Sequence, residues 1–94
     1  MSTLSQSEIL ERLGNFPEWR LEAGALVRDY SFADFTLAFA FAVRVALMAE
    51  KANHHPDIDI RYNKVRLALV SHDAGGVTSR DISMAGAISQ MQET

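Results

Sequence analysis

The segment DIDIRYNKVRLALVS, residues 57–71, decides the fold. Isoleucines alternate with charged residues over Asp57–Arg61, which is the period-two pattern of a half-buried β-strand. Tyr62–Asn63 provides a turn, and Lys64–Ser71 forms the partner strand. The apolar residues of that partner strand fall on one face: Val65, Leu67 and Leu69. The segment therefore predicts a β-hairpin with one face directed at a core.

A second hairpin is predicted upstream. Trp19–Glu22 and Leu26–Phe32 read as strands, and the Ala23–Gly24 pair between them supplies the turn. The longer run alternates two residue sets, so one of its faces can join the same core.

Two short helices have clear start signals. Ser5 with Glu8 forms a capping box, and the helix it opens ends at Gly14. Thr78 with Asp81 forms another capping box, which opens a final helix through Met91.

A long helix is predicted from Phe35 to about Asn53, with Ser31 and Asp34 as a capping-type pair in front of it. One apolar stripe on this helix is expected to pack on the sheet: Phe35, Phe39, Ala42, Ala46 and Ala49. A second stripe follows the same period: Leu37, Phe41, Val45 and Met48. Because a small domain cannot bury both stripes, we expect a homo-oligomer, the alternative being a helix enclosed by the chain's own elements.

The element order is helix, strand, strand, helix, strand, strand, helix. It predicts an α+β fold in which a four-stranded, mainly antiparallel sheet of two hairpins has three helices packed on one face. The length of 94 residues indicates a single domain over residues 1–94.

Composition narrows the classes of function. With 48% hydrophobic and 22% charged residues the chain is typical of a globular protein, and without cysteine it has neither disulfides nor thiolate metal ligands. The net charge of −3 and the scattered basic residues argue against nucleic-acid binding. Residues 1–5 do not resemble a signal peptide, and no membrane-spanning segment is expected. We therefore expect a cytoplasmic protein.

The three histidines are the candidate chemical groups. His54 and His55 follow the long helix directly, His72 follows the second hairpin, and Glu50 and Asp81 are candidate carboxylate partners. Imidazoles give and take protons near neutral pH, so such a set suits elimination or addition of water.

Simpler interpretations of these residues exist. A purely structural role would explain each of them: His54 would stabilise the end of the long helix, Asp81 would cap the last helix, and Trp19 would belong to the core. A metal site is not expected, since adjacent histidines chelate one ion poorly and no His-x-x-x-His pair is present.

The spacing of these groups resembles a known signature, that of the pterin-4a-carbinolamine dehydratase family. The signature positions are Glu50, His54-His55-Pro56, Tyr62, His72 and Asp81. Further segments are similar to sequences of that family: Phe32–Phe35, Arg44–Leu47, Ala49–Lys51 and Tyr62–Val65.

The resemblance implies a hydro-lyase that removes water from 4a-hydroxytetrahydropterin to give quinonoid dihydropterin in pterin recycling. It implies His54, His55, His72 and Asp81 as catalytic residues. It implies substrate contacts from Glu50, Asn53, Val70, Ser71 and Trp19. Pterin would be the substrate, and neither a metal nor an organic cofactor is required.

The resemblance also implies an assembly. A homodimer or homotetramer would form through the second helix, a sheet edge or both, and a pterin-dependent aromatic amino acid hydroxylase is a possible partner. The alternative function is that of a non-catalytic scaffold, a coactivator or assembly partner, on the same fold.

Overall fold

The structure is a computed structural model that describes residues 2–93, without the side chains of residues 92 and 93. Within these residues three helices and four strands follow the predicted order. They are α1 (Gln6–Leu13), β1 (Arg20–Glu22), β2 (Ala25–Ser31), α2 (Phe35–Ala52), β3 (Asp57–Arg61), β4 (Lys64–Leu69) and α3 (Ser79–Glu93). Over this part of the chain no helix combines the length and the apolar character needed to cross a membrane.

The four strands form one antiparallel sheet in the order β1-β2-β4-β3. The two predicted hairpins meet through their second strands, with Leu26 opposite Leu69 and Tyr30 opposite Val65. In the first hairpin Ala23 and Gly24 both adopt positive φ, 51° and 80°, as the favoured two-residue hairpin turn requires. The predicted α+β fold is confirmed.

The last predicted strand is shorter than expected. β4 ends at Leu69 instead of Ser71, because the chain turns back on itself and Ser71 pairs with Gly76 in an isolated bridge. This early end moves Ser71 and His72 out of the sheet and into a loop.

The helices cover one face of the sheet and enclose the core. Side chains from alternate strand positions point into it: Leu26, Tyr30, Val65, Leu67 and Leu69. The opposite face carries charged pairs, among them Arg66 with Asp29 at 2.7 Å and Arg61 with Asp59 at 3.1 Å. The charged face is consistent with a sheet that has one wet side, as the prediction required.

The two short helices begin as their capping signals predict. Ser5 Oγ accepts a hydrogen bond from Glu8 N at 3.2 Å, and Ser5 N donates to Glu8 Oε1 at 2.8 Å. The hydrogen bonds from Ser5 lower the pKa of Glu8. At α3 one half of the predicted box forms, because Thr78 N donates to the Asp81 carboxylate at 2.9 Å, whereas Thr78 Oγ1 accepts from Arg80 N instead of Asp81 N.

The predicted capping pair of α2 is wrong in one respect. Asp34 is itself the N-cap, and its carboxylate accepts a hydrogen bond from Leu37 N at 2.8 Å. Ser31 is the last residue of β2 and accepts a hydrogen bond from Lys64 Nζ. A carboxylate one position before the helix competes for the free N–H groups better than a hydroxyl four residues away.

The predicted division of α2 into two stripes is also wrong. The face that packs on the sheet takes Ala42 and Ala49 from one stripe, Phe41 and Val45 from the other, and adds Ala38, which belongs to neither. Several large apolar residues stay exposed on the rest of the helix: Phe35, Leu37, Phe39, Val43 and Leu47. Small residues form much of the buried face because they let the helix approach the sheet closely, which leaves larger side chains outside. An uncovered apolar surface is present, but it is not the stripe the periodicity indicated.

Candidate active site

The end of α2 fixes the backbone of His54. Asn53 adopts the left-handed conformation, φ 52° and ψ 41°, which asparagine tolerates better than most residues. Its N–H and that of His54 bond to the carbonyls of Glu50 and Ala49 at 3.2 and 3.1 Å, the pattern of a Schellman motif. Pro56 then directs the chain into β3. The backbone of His54 is therefore held in place by the C-terminal cap of α2.

His54 meets Asp81 in the interior. Its Nε2 lies 2.6 Å from Asp81 Oδ1, and the two side chains are 10% and 0% exposed. Hydrogen bonds between ring nitrogens and carboxylates of this length are among the stronger ones in proteins. The ring orientation is therefore fixed by a residue 27 positions away in sequence.

Asp81 is held from its other side by the start of α3. Its Oδ2 accepts hydrogen bonds from Thr78 N and from Ser71 Oγ, both at 2.9 Å. The first turn of a helix favours negative charge, because its free N–H groups point toward the carboxylate. The predicted capping role and the predicted contact with an imidazole occur together in this one side chain.

The loop after β4 carries His72. Ser71 O accepts hydrogen bonds from Ala74 N and Gly75 N, both at 3.0 Å, and Gly75 adopts φ 81°. Asp73 binds Arg80 of α3 at 2.6 Å, and the hydrogen bond from Arg80 lowers the pKa of Asp73. The loop is thus tied at both ends, and His72 is exposed on it.

His55 forms a separate pair with Glu50 at the surface. Its Nε2 lies 2.8 Å from Glu50 Oε1, and both side chains are largely exposed. The structure therefore brings together two His–carboxylate pairs, one buried and one at the surface. Both pairs join residues that the sequence pattern had singled out.

The other residues predicted to contact substrate differ in their exposure and in their hydrogen bonds. Asn53 is exposed and Val70 half-buried, so both remain within reach of the surface. Ser71 differs, because its backbone N–H and carbonyl bond within the loop to Gly76 and Gly75. A contact between the Ser71 backbone and substrate would have to share these groups, and it stays a prediction. Trp19 lies in the core, 3% exposed, with its indole N–H donating to Ser89 Oγ at 3.1 Å.

Two open clefts on the surface lie elsewhere. One of about 570 Å³ borders the charged face of the sheet near Asp29 and Arg61, and one of about 560 Å³ lies between the N-terminal segment and Gly75. The lining of neither includes a histidine.

Within residues 2–93 no three His, Asp or Glu side chains are grouped so as to hold a metal ion. The paired imidazoles and carboxylates suit proton transfer to a bound organic molecule.

Sequence reasoning missed the hydroxyl of Ser71. It is almost fully buried and bonds both to Asp81 and to Thr78 Oγ1, the latter at 2.8 Å. No local motif marks such a residue. The available signal was indirect: a buried carboxylate needs donors, and hydroxyls flank this loop on both sides.

The chain is similar to known proteins along almost its whole length. The family model described as Pterin 4 alpha carbinolamine dehydratase matches residues 2–91. The chain belongs to this family. A protein of Chloroflexus aurantiacus named "Putative pterin-4-alpha-carbinolamine dehydratase" is 53% identical over 91 residues, which cover 97% of this chain and 98% of that protein. A protein of Acidobacterium capsulatum with the same name is 54% identical over 88 residues, covering 94% and 96%.

Solved structures show the dehydratase fold as well. The structure described as a transcriptional coactivator/pterin dehydratase from Brucella melitensis has a TM-score of 0.88 and 37% identity, covering 95% of this chain and 97% of that chain. A pterin dehydratase-like protein described as a RuBisCO assembly factor in the α-carboxysome has a TM-score of 0.63 and 20% identity, covering 76% and 84%. The second likeness concerns the fold alone.

Proposed function

We propose that this member of the dehydratase family removes water from 4a-hydroxytetrahydropterin and releases quinonoid dihydropterin. The observation that carries the proposal is the 2.6 Å contact between His54 and the buried Asp81, with His55 and His72 on the adjoining surface segments. Family membership and the names of the relatives support the substrate class.

The reaction needs two proton transfers. The C4a–O bond breaks as an acid protonates the departing hydroxyl, which leaves as water. The N5 lone pair forms the C4a=N5 double bond, and a base takes one proton from the ring. We assign the acid and base roles to His54 and His72, since each such transfer contributes on the order of 10²–10⁴ in rate. Asp81 orients His54 and stabilises its charged form.

Substrate binding falls to the exposed groups. His55, held by Glu50 at 2.8 Å, would contact the pterin, and the free carboxylate oxygen of Glu50 can accept ring N–H groups. The backbones of Asn53 and Val70 would bond to the polar edge of the ring. No cofactor takes part in this scheme.

The first test compares catalysed with uncatalysed dehydration. Purified protein should accelerate the loss of the 4a-hydroxypterin absorbance well above the spontaneous rate. His55→Ala should raise KM with little change in kcat, because His55 is proposed to bind and not to transfer protons. Tyr62→Ala, at an exposed signature position that makes no proposed contact with substrate, serves as the matched control. A wild-type rate equal to the spontaneous rate would contradict the proposed function.

We also propose that two or more copies assemble through α2. Four of its five large exposed apolar side chains, Phe35, Phe39, Val43 and Leu47, recur every four residues and therefore share one face of the helix. A globular protein rarely leaves such a face uncovered. The occupant we propose is the same face of a second copy, since a shared apolar helix face is self-complementary across a two-fold axis. A sheet edge, at β1 or β3, is available for a further contact, so a dimer or a tetramer can form.

The competing function is that of a non-catalytic assembly partner on the same fold. The dehydratase-like protein described as a RuBisCO assembly factor illustrates that use for a different protein. The buried His54–Asp81 pair favours the enzyme, because a scaffold does not need an oriented imidazole. A pterin-dependent hydroxylase would be the source of the substrate, and cytoplasmic recycling of its pterin the setting.

A further inference from the structure

Two buried hydroxyl groups lie behind the carboxylate of Asp81. Ser71 is 1% exposed and Thr78 0%, and their hydroxyl oxygens are 2.8 Å apart. They come from different elements, the loop after β4 and the residue that opens α3. Burying two hydroxyls side by side costs free energy unless each makes its hydrogen bonds, so their arrangement calls for a physical reason.

The hydrogen bonds admit one direction only. Each hydroxyl has a single hydrogen to donate. Ser71 gives its hydrogen to Asp81 Oδ2 at 2.9 Å, so the hydrogen between Ser71 and Thr78 must come from Thr78. Thr78 Oγ1 in turn accepts from Arg80 N at 3.3 Å. The resulting chain runs from the α3 backbone through two hydroxyls to the carboxylate.

The same logic fixes the carboxylate. Oδ2 receives Ser71 Oγ–H and Thr78 N–H, and a backbone N–H can only donate. Oδ2 is therefore an acceptor only, and Oδ1 is the oxygen directed at His54 Nε2. Rotation of the carboxylate would break both of the bonds at Oδ2.

We propose that Ser71 and Thr78 are positioning residues that hold Asp81 so that His54 carries its proton on Nε2 and presents Nδ1 to the pterin. Within residues 2–93, Nδ1 of His54 has no hydrogen-bond partner. The buried side-chain atoms without a partner in this part of the chain are Tyr30 Oη and Arg80 Nε, so Nδ1 is not fully buried. Nδ1 is therefore the ring nitrogen that solvent reaches. The tautomer of His54 is inferred from the hydrogen bonds alone. Its use in catalysis rests on the proposed function.

The consequence for catalysis is specific. A neutral His54 with its proton on Nε2 has its lone pair on Nδ1, so it takes a proton there and returns it from there. Asp81 never needs to gain a proton in this scheme. Without the Ser71 hydroxyl, Asp81 keeps a single donor at Oδ2, so its carboxylate can rotate away from His54 Nε2. Once Nε2 has lost its acceptor, the ring can populate the other tautomer.

The test uses nitrogen NMR of protein labelled with ¹⁵N-histidine, in which the chemical shifts separate the protonated ring nitrogen from the bare one. In the wild type, His54 should show a bare Nδ1 and a protonated Nε2. Ser71→Ala should move the two shifts toward each other, Ser71→Thr should restore them, and Ser79→Ala, a neighbouring exposed serine, should leave them unchanged. Unchanged shifts in a folded Ser71→Ala protein would overturn the proposal.

A second pair of variants covers the case in which Ser71→Ala does not fold. Thr78→Val removes the other hydroxyl while keeping its shape, and Thr78→Ser keeps the hydroxyl. The shifts should move in the first and stay in the second; equal shifts in both would overturn the proposal.

Kinetics separate this proposal from the proposed function. Ser71→Ala should lower kcat about tenfold, the loss typical of one hydrogen bond to a charged group, with KM within about twofold. A wild type that shows the predicted His54 tautomer but no dehydratase activity would contradict the proposed function and leave the positioning intact. A lower activity of Ser71→Ala with unchanged nitrogen shifts would contradict the positioning role of Ser71 and leave the proposed function intact.

Discussion

Asp81→Asn is the perturbation whose outcome the structure defines most sharply. The amide has the shape of the carboxylate but must place an NH₂ group on one side. Thr78 N–H cannot accept a hydrogen bond, so the amide oxygen has to take the Oδ2 position, and the NH₂ group then faces His54 Nε2. His54 must accept there, which forces its proton onto Nδ1.

The expected loss follows from two effects. The hydrogen bonds that Asp81 receives lose the carboxylate charge, and hydrogen bonds to charged groups are worth about 1.5–3 kcal/mol. The reversed tautomer also removes the lone pair from the accessible nitrogen, and an acid-to-amide change that reverses the histidine tautomer in serine proteases costs about 10⁴ in kcat. We expect kcat of Asp81→Asn to fall by about 10²–10⁴, and the free energy of unfolding by about 1–3 kcal/mol.

The assay is the dehydration of freshly generated 4a-hydroxytetrahydropterin, followed by absorbance, with the unfolding transition measured in urea. Asp59→Asn, an acid-to-amide change on the exposed sheet face, is the matched control and should keep full activity. If Asp81→Asn were folded and kept more than about half of the wild-type kcat, the orienting role of Asp81 would be refuted.

Three further predictions concern assembly, the core and the charged sheet face. Phe39→Glu on the exposed face of α2 should reduce the mass in solution to that of a monomer by light scattering, whereas Leu10→Glu, equally exposed on α1, should not; an unchanged mass for Phe39→Glu would contradict assembly through α2. Leu67→Ala, at a fully buried site, should lower the free energy of unfolding in urea by about 2–5 kcal/mol, and a loss below about 1 kcal/mol would contradict its place in the core. The hydrogen bonds from Arg66 and then Arg20 lower the pKa of Asp29, so the stability that Asp29 adds is present above its unfolded pKa of 3.8 and is lost as the pH falls through the lower folded pKa. The difference in unfolding free energy between wild type and Asp29→Asn, at most about 1 kcal/mol for so exposed a pair, should therefore shrink in acid, and a difference that grows there would contradict the assignment.

Local signals predicted the parts of the fold that depend on local contacts. The capping box at Ser5, the bond from Thr78 N to the Asp81 carboxylate and the turn at Ala23–Gly24 are encoded by neighbouring residues, and the structure confirms each of them. The prediction of two apolar stripes on α2 was wrong for a physical reason. Where a helix is apolar nearly all round, periodicity alone does not select the buried face, and the choice is made by the size of the side chains that fit the sheet.

The candidate site required information from outside any single segment. His54 and Asp81 lie 27 positions apart, and their contact depends on how α2, the second hairpin and α3 pack together. Resemblance to a family predicted that both matter, but it could not say that Ser71 uses its side chain for Asp81 and its backbone for the loop. Hydrogen-bond geometry of this kind is a product of packing, so it becomes visible only in the structure.

The most direct test of the proposed chemistry is the rate of pterin dehydration by His54→Ala and His72→Ala, measured beside the wild type at equal concentration. If these two imidazoles are the acid and the base, each variant should lose about 10²–10⁴ in kcat while keeping its fold, and the double variant should approach the uncatalysed rate. Wild-type activity in a folded His54→Ala protein would contradict this mechanism, because the imidazole that Asp81 holds would then have no part in the reaction.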